Sequence, residues 1–142
     1  MNMRKQRAFL LLAFLAVCGM LRAQSILGRW ITVDDKTGKP RSVVEVTERG
    51  GKVFGKIVEL YDKSKLQKLC DLCPEDRHDQ PIVGLEIIRA MEQDDDEWED
   101  GTILDPETGK VYDCKFWLED GTLQVRGYVA FLYRTQTWVR EQ

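Results

Sequence analysis

The residues best placed to do chemistry are few. Cys70 and Cys73 stand at C-x-x-C spacing in the stretch KLCDLCP, shortly before His78, the only histidine in the chain. Two thiols at that spacing can close a disulfide, carry thiol–disulfide exchange, or supply half of a tetrahedral zinc site. Exchange of the thioredoxin type sets the pair at the start of a helix, whose N-terminus lowers the thiol pKa. Here the pair follows Asp62-Lys63-Ser64-Lys65 and precedes Pro74, which reads as loop. Zinc needs about four ligands, and beyond Cys70, Cys73 and His78 the next mature thiol, Cys114, is distant and falls where alternation buries it. A local disulfide is therefore the leading reading, with metal and redox roles as alternatives. No metal or cofactor is assigned.

A second cluster is polar and aromatic. Arg126-Gly127-Tyr128 and Arg134-Thr135-Gln136-Thr137-Trp138 lie close together near the C-terminus. In extended chain, Arg134, Gln136, Trp138 and Arg140 share one face and Thr135, Thr137 and Val139 the other. Turned inward, the first face surrounds a small anionic or amphipathic molecule with cations, an amide and an indole. Turned outward, it is a solvated stripe. The acidic run Asp94-Asp95-Asp96-Glu97-Trp98-Glu99-Asp100-Gly101 fits a calcium loop poorly, since Trp98 takes a position that should offer oxygen and no amphipathic helices flank it. It reads as a charged hairpin. Nucleophilic catalysis needs a nucleophile, a base and a group to orient the base. His78 has no such company, so the chain is expected to bind rather than to turn over a substrate.

The compartment bears on the cysteines. Residues 1–23 open with Arg4, Lys5 and Arg7, continue through an apolar run from Ala8 to Leu21, and end at Arg22-Ala23. A basic start, a short apolar centre and a small residue before the cut describe a secretory signal peptide. The run is shorter than the roughly 20 residues that span a bilayer. Export to the periplasm or the extracellular space follows, and disulfides persist there. Without this segment's four basic residues, the 21 Lys and Arg become 17 against 24 Asp and Glu, a net of −7. Nucleic acid is an unlikely partner for so acidic a chain, and so is an anionic lipid surface, because both reward clustered cations. Residues 24–142 make a single domain, with no second apolar run of spanning length and so no expected membrane insertion. Oligomeric state is open.

The elements that must position these residues are strands. Tyr112, Cys114, Phe116 and Leu118 fall on one face, and Asp113, Lys115 and Trp117 on the other, the period of a half-buried strand. The same reading predicts strands near Gly28–Val33, Ser42–Glu48, Lys52–Leu60, Ile82–Ala90, Glu97–Leu104, Lys110–Leu118, Thr122–Ala130 and Arg134–Arg140. Gly50-Gly51, Asp105-Pro106-Glu107-Thr108-Gly109 and Glu119-Asp120-Gly121 supply turn residues between them. Short turns imply antiparallel neighbours. Only the connection from Tyr61 to Pro81 is long, and it holds Cys70 and Cys73. Eight such strands form a sandwich or a closed up-and-down barrel, and closure is favoured because it removes exposed edges.

The blocks Gly28-Arg29-Trp30, Val44-Glu45-Val46, Gly55-Lys56-Ile57-Val58, Trp98-Glu99-Asp100-Gly101, Gly109-Lys110-Val111-Tyr112, Val125-Arg126-Gly127-Tyr128 and Arg134-Thr135-Gln136-Thr137-Trp138, in this order, resemble the bacterial family catalogued as domain of unknown function 2147. The resemblance implies an exported all-β protein with a calycin-like, lipocalin-like eight-stranded barrel. Gly28-x-Trp30 is also similar to the first-strand motif of lipocalins, where a basic residue from the last strand packs on the tryptophan. Arg140 or Arg134 would fill that role. On fold analogy, the expected function is binding of a small, partly apolar or amphipathic ligand. Trp30, Tyr112, Phe116, Arg126, Tyr128, Gln136 and Trp138 are the expected lining or rim. A cell-envelope interaction module with a filled core, and a thiol-redox or metal-handling protein using Cys70 and Cys73, are the alternatives.

Overall fold

A computed structural model describes residues 24–142. The expected signal segment, residues 1–23, lies outside the described residues. Eight strands run in chain order: β1 (Gly28–Val33), β2 (Pro40–Arg49), β3 (Lys52–Leu60), β4 (Glu86–Asp94), β5 (Glu97–Asp105), β6 (Lys110–Glu119), β7 (Thr122–Val129) and β8 (Leu132–Arg140). Each pairs antiparallel with its sequence neighbours, and β8 returns to β1, so the sheet is a closed up-and-down barrel. The inward positions are those alternation selects. Val44, Val46, Ile57, Ile88, Cys114, Phe116, Leu123, Val125 and Trp138 are buried, while their sequence neighbours on most strands face solvent.

Turn chemistry sets the register. Gly50 and Gly51 both have positive φ, as do Asp120 and Gly121, so the β2–β3 and β6–β7 hairpins use two-residue turns whose twist matches the strands. In the β1–β2 connection the Asp34 carboxylate accepts from the backbone N–H groups of Lys36 and Thr37 at 2.9 and 2.8 Å, replacing bonds the ladder no longer supplies.

One expected strand is displaced. The apolar run from Ile82 predicts a strand start there, but β4 begins at Glu86. Ile82 to Leu85 is instead a turn, in which Gly84 N–H donates to Ile57 O at 2.6 Å and Leu85 N–H donates to Ile82 O at 3.2 Å. Ile82 and Leu85 are nevertheless buried. Their apolarity serves the core from a turn, and periodicity alone does not distinguish that from a strand. The other seven strands agree with the sequence-based bounds within two residues.

An up-and-down barrel places alternate connections at opposite ends. The β1–β2, β3–β4, β5–β6 and β7–β8 connections share one end, so the long β3–β4 connection stands between the β1–β2 and β5–β6 connections, across the mouth from the β7–β8 hairpin. It contains two short 3-10 helices, Lys63–Lys65 and Glu75–Arg77. Its two limbs are laced together: Cys70 N–H donates to Gln80 O at 2.7 Å, Asp79 N–H to Cys70 O at 2.8 Å and Ile82 N–H to Lys68 O at 3.1 Å. Cys70 and Cys73 form a disulfide with Cα atoms 5.3 Å apart, and both are buried.

Candidate functional site

The two ends of the barrel are built differently. At one end Trp30 is fully buried, its indole N–H donating to Ile26 O at 2.9 Å. The Arg140 guanidinium lies 4.1 Å from the centre of the Trp30 ring and donates to Leu27 O at 3.0 Å and to Ser25 O. Of the two cations expected over Trp30, Arg140 is the one that takes the place. Phe116 and Leu123 are fully buried, and the Trp98 ring stacks on Phe116 with centroids 6.0 Å apart. This end is closed.

The opposite end opens into a cavity of about 1060 Å³. Its deeper wall is apolar, with Ile57, Leu60, Ile87, Ile103, Leu104 and Val125 converging from β3, β4, β5 and β7. Tyr112 and Trp138 also line it. Thr32 and Ser42 face the same space as a buried hydroxyl pair, 2.7 Å apart. Each hydroxyl satisfies the other, so the pair is polar lining at low cost.

A chain of polar contacts climbs from the floor to the mouth. The buried Trp138 indole N–H donates to Gln136 Oε1 at 2.9 Å, Gln136 Nε2 donates to Asp35 Oδ2 at 3.0 Å, and Arg134 pairs with the same oxygen at 2.5 Å. The mouth itself carries both signs. Arg41 pairs with Glu107 at 2.5 Å, and Lys65 reaches both Asp62 and Glu107 at 3.9 Å. The Asp34 carboxyl is held below its ordinary value chiefly by the Thr37 and Lys36 backbone N–H groups. The Asp62 carboxyl is lowered by the Ser64 hydroxyl and backbone N–H.

The seven expected lining residues separate into three sets. Tyr112, Gln136 and Trp138 reach the cavity. Trp30 and Phe116 face the interior but are consumed in packing the closed end. Arg126 and Tyr128 lie on the outer face, because Val125 and Gly127 take the inward positions on β7 and their neighbours must point away. There the Arg126 guanidinium sits between the Trp117 and Tyr133 rings, 4.9 and 4.2 Å from their centres, and donates to Thr135 Oγ1 at 2.8 Å. Tyr128 packs on Tyr133.

Sequence reasoning missed Asp35, the Thr32–Ser42 pair and the aliphatic wall. The signal was present in the connectivity: once the barrel is accepted, inward residues near the end that bears the long connection must line any opening there. Cys114 shows the opposite case. Burial pushes its thiol up to about 12, so it stays protonated and unreactive. The Cys70–Cys73 disulfide, although buried, closes the connection that forms part of the mouth. Among the described residues no group of three or more His, Cys, Asp or Glu side chains is arranged to hold a metal ion.

Residues 28–140 match the family described as an uncharacterized protein conserved in bacteria, DUF2147. The chain belongs to this family. No curated protein matches this DUF2147 chain. Among solved structures it is similar to protein HP1028 of Helicobacter pylori, described as belonging to the lipocalin family, with 20% identity and a TM-score of 0.72 over 83% of this chain and 84% of that one. At that identity the likeness is one of fold. The DUF2147 domain is a lipocalin-like barrel, closed at the Trp30 end and hollow at the other.

Proposed function

We propose that this protein is an exported binding protein that takes a small amphipathic molecule into its barrel and does no chemistry on it. The observation that carries this reading is the cavity, whose depth is aliphatic and whose mouth is polar. A volume of about 1060 Å³ lies at the upper end of the roughly 300–1,000 Å³ usual for small-molecule sites. An apolar body would lie against Ile57, Ile103, Leu104 and Val125, with a polar head beside Gln136, Asp35 and Arg134. The fold is compatible with such a role, and the hollow interior gives the filled-core alternative little support. Export is supported by the leader-like first 23 residues and by the Cys70–Cys73 disulfide. Burial of that disulfide leaves a redox role with little support, since exchange needs an attacking thiolate to reach a sulfur.

The test is native mass spectrometry of protein purified from its own envelope, followed by titration of the stripped protein with anilinonaphthalene sulfonate. A co-purifying small molecule, or saturable uptake of the probe at one site, is expected. Absence of both overturns the reading.

A further inference from the structure

The cavity accounts for the inside of the mouth but not for its outside. Eleven large apolar side chains are exposed among the described residues, and nine of them belong to the strand ends and connections of the open end. Only Leu27 and Val139 lie elsewhere. Two groups stand out. Leu66, Leu69 and Leu72 recur at three-residue intervals along the β3–β4 connection, with Leu72 58% exposed. Val129, Phe131 and Leu132 form the β7–β8 hairpin tip, with Phe131 90% exposed. Isolated exposed leucines need no explanation, but apolar residues gathered at one end of a barrel mark a surface that meets something.

The charges at this end are sorted as well. The limb of the connection that borders the cavity, residues 62–69, carries Lys63, Lys65 and Lys68 against Asp62 alone, and Lys36 and Lys39 face them from the β1–β2 connection. Asp71, Glu75, Asp76 and Asp79 sit on the other limb, and none of them lines the cavity. The acids that do line the mouth are engaged: Asp35 with Arg134, Glu107 with Arg41, and Asp34 and Asp105 with backbone N–H groups of their own turns. Lys36, Lys39 and Lys68 pair with no carboxylate among the described residues. A chain of net charge −7 after leader removal thus presents free lysines, interleaved with leucine and phenylalanine, around the mouth of the cavity.

We infer that the open end docks on an anionic phospholipid surface, with Phe131, Leu132, Leu66 and Leu69 entering the headgroup region and Lys36, Lys39 and Lys68 contacting lipid phosphates. Apolar side chains at the acyl boundary combined with lysines at headgroup level are the two contributions that hold a peripheral protein on such a surface. Either alone is weak here, because the body of the protein repels an anionic surface. A second copy of this chain fits less well, since mouth-to-mouth apposition sets the same free lysines against each other. The Cys70–Cys73 disulfide acquires a part in this arrangement: it fixes the limb that presents Leu66 and Leu69. The docking surface is independent of the ligand reading; only the idea that docking would let an amphipathic molecule pass between bilayer and cavity without crossing water rests on it.

The test uses residues 24–142, which contain the whole barrel, in flotation with vesicles rich in phosphatidylglycerol and with vesicles of phosphatidylcholine alone. Flotation is expected with the first and not the second, and it should fall with added salt. Phe131→Ser with Leu132→Ser should lower the vesicle partition constant at least tenfold, and each of Lys36→Gln, Lys39→Gln and Lys68→Gln about fivefold. All five positions are exposed, so near-ultraviolet circular dichroism should be unchanged; Phe131 does not line the cavity, so Phe131→Ser alone should lower flotation and leave anilinonaphthalene sulfonate uptake unchanged. Uptake by the parent protein without flotation of the parent defeats the docking proposal and spares the ligand reading. Flotation without uptake does the reverse. Equal flotation of parent and variants overturns the assignment of the face, and a parent dimer in analytical ultracentrifugation that Phe131→Ser dissolves, with no flotation, gives the face to a second copy.

Discussion

Gln136 Nε2 donates to Asp35 Oδ2 at 3.0 Å, joining residues 101 positions apart across the seam where the barrel closes. The backbone register between β1 and β8 comprises only two pairs, Trp30 with Arg140 and Ile31 with Val139, both toward the closed end. Toward the mouth the seam is held by side chains, with Asp35 accepting from Gln136 and Arg134 together. Asp35→Ala should therefore act on access more than on stability. Exposed pairs of this kind contribute on the order of 1 kcal/mol or less, so the melting temperature should fall little. Stopped-flow release of a bound amphipathic fluorophore should become several-fold faster; an unchanged rate would show that ligand leaves by another route.

Ile103 lines the hollow half of the barrel and is paired with Tyr112 on β6. Replacing it with tryptophan adds volume where the barrel is empty, so the overpacking cost of roughly 1–3 kcal/mol in a filled core should be largely avoided. Ile103→Trp is expected to fold with near-parent stability and to lose at least tenfold in affinity for the probe. Undiminished binding would place the ligand outside the barrel. The comparison is sharper than deletion of Trp138, whose indole also supports the floor through Gln136.

The barrel was legible because most of its strands alternate and most short turns carry glycine or aspartate where positive φ is needed; the β7–β8 turn, where Ala130 takes that conformation, is the exception. The site was legible only in part. Tyr112, Gln136 and Trp138 reach the cavity, but period two assigns faces without saying how deep an inward residue sits, so Trp30 and Phe116, packed at the closed end, were indistinguishable from lining. Arg126 and Tyr128 read as rim because aromatic and cationic residues cluster there. The cluster is real, yet it forms on the outside, through contacts with Trp117 and Tyr133 from adjacent strands. Asp35 was invisible because its partners come from the far end of the chain. The expectation against an anionic lipid surface rests on net charge, which does not say how lysines and carboxylates are distributed over the surface.

The disulfide closes a short loop, for which the chain-entropy contribution is about 2 kcal/mol. Cys70 and Cys73 are buried, and Cys70 Sγ lies 3.5 Å from Pro106 O in the β5–β6 connection, so the clip also seats one mouth connection on another. Cys70→Ser with Cys73→Ser is expected to leave β1 to β8 intact and to loosen residues 61–85 selectively. Hydrogen exchange should report this as faster exchange at Cys70, Asp79 and Ile82 N–H, with the strand amides little changed. Intact mass of the parent should be lighter by two hydrogens than its reduced form. Uniform loss of protection across all strands would mean that the connection is integral to the barrel rather than seated on it.

Glu99 supplies a prediction on the outer wall, far from the mouth. Its carboxyl is raised above the ordinary 4.5, first by a hydrogen bond shared with Asp94, then by desolvation and by the Asp94 charge, with Lys115 opposing. The folded protein thus holds this proton to higher pH than the unfolded chain does. The associated stability is fully present below 4.5 and is lost as pH rises through the higher folded value. Asp34, Asp62 and Asp76 have the opposite sign. They are lowered from 3.8, by backbone N–H groups of Thr37 and Lys36, by Ser64 and by the Arg89 guanidinium respectively. Their contribution is present above 3.8 and is lost as pH falls through the lower folded values. Acid should therefore loosen the mouth connections while it relieves the Glu99–Asp94 pair. Glu99→Gln keeps a donor for Asp94 and removes the charge, so it should melt above the parent at neutral pH, and that advantage should vanish below 4.5. Thermal melts of parent and variant across this range check the sign: an advantage that persists at low pH would mean that glutamine gains through packing, and the shared proton would not be its source.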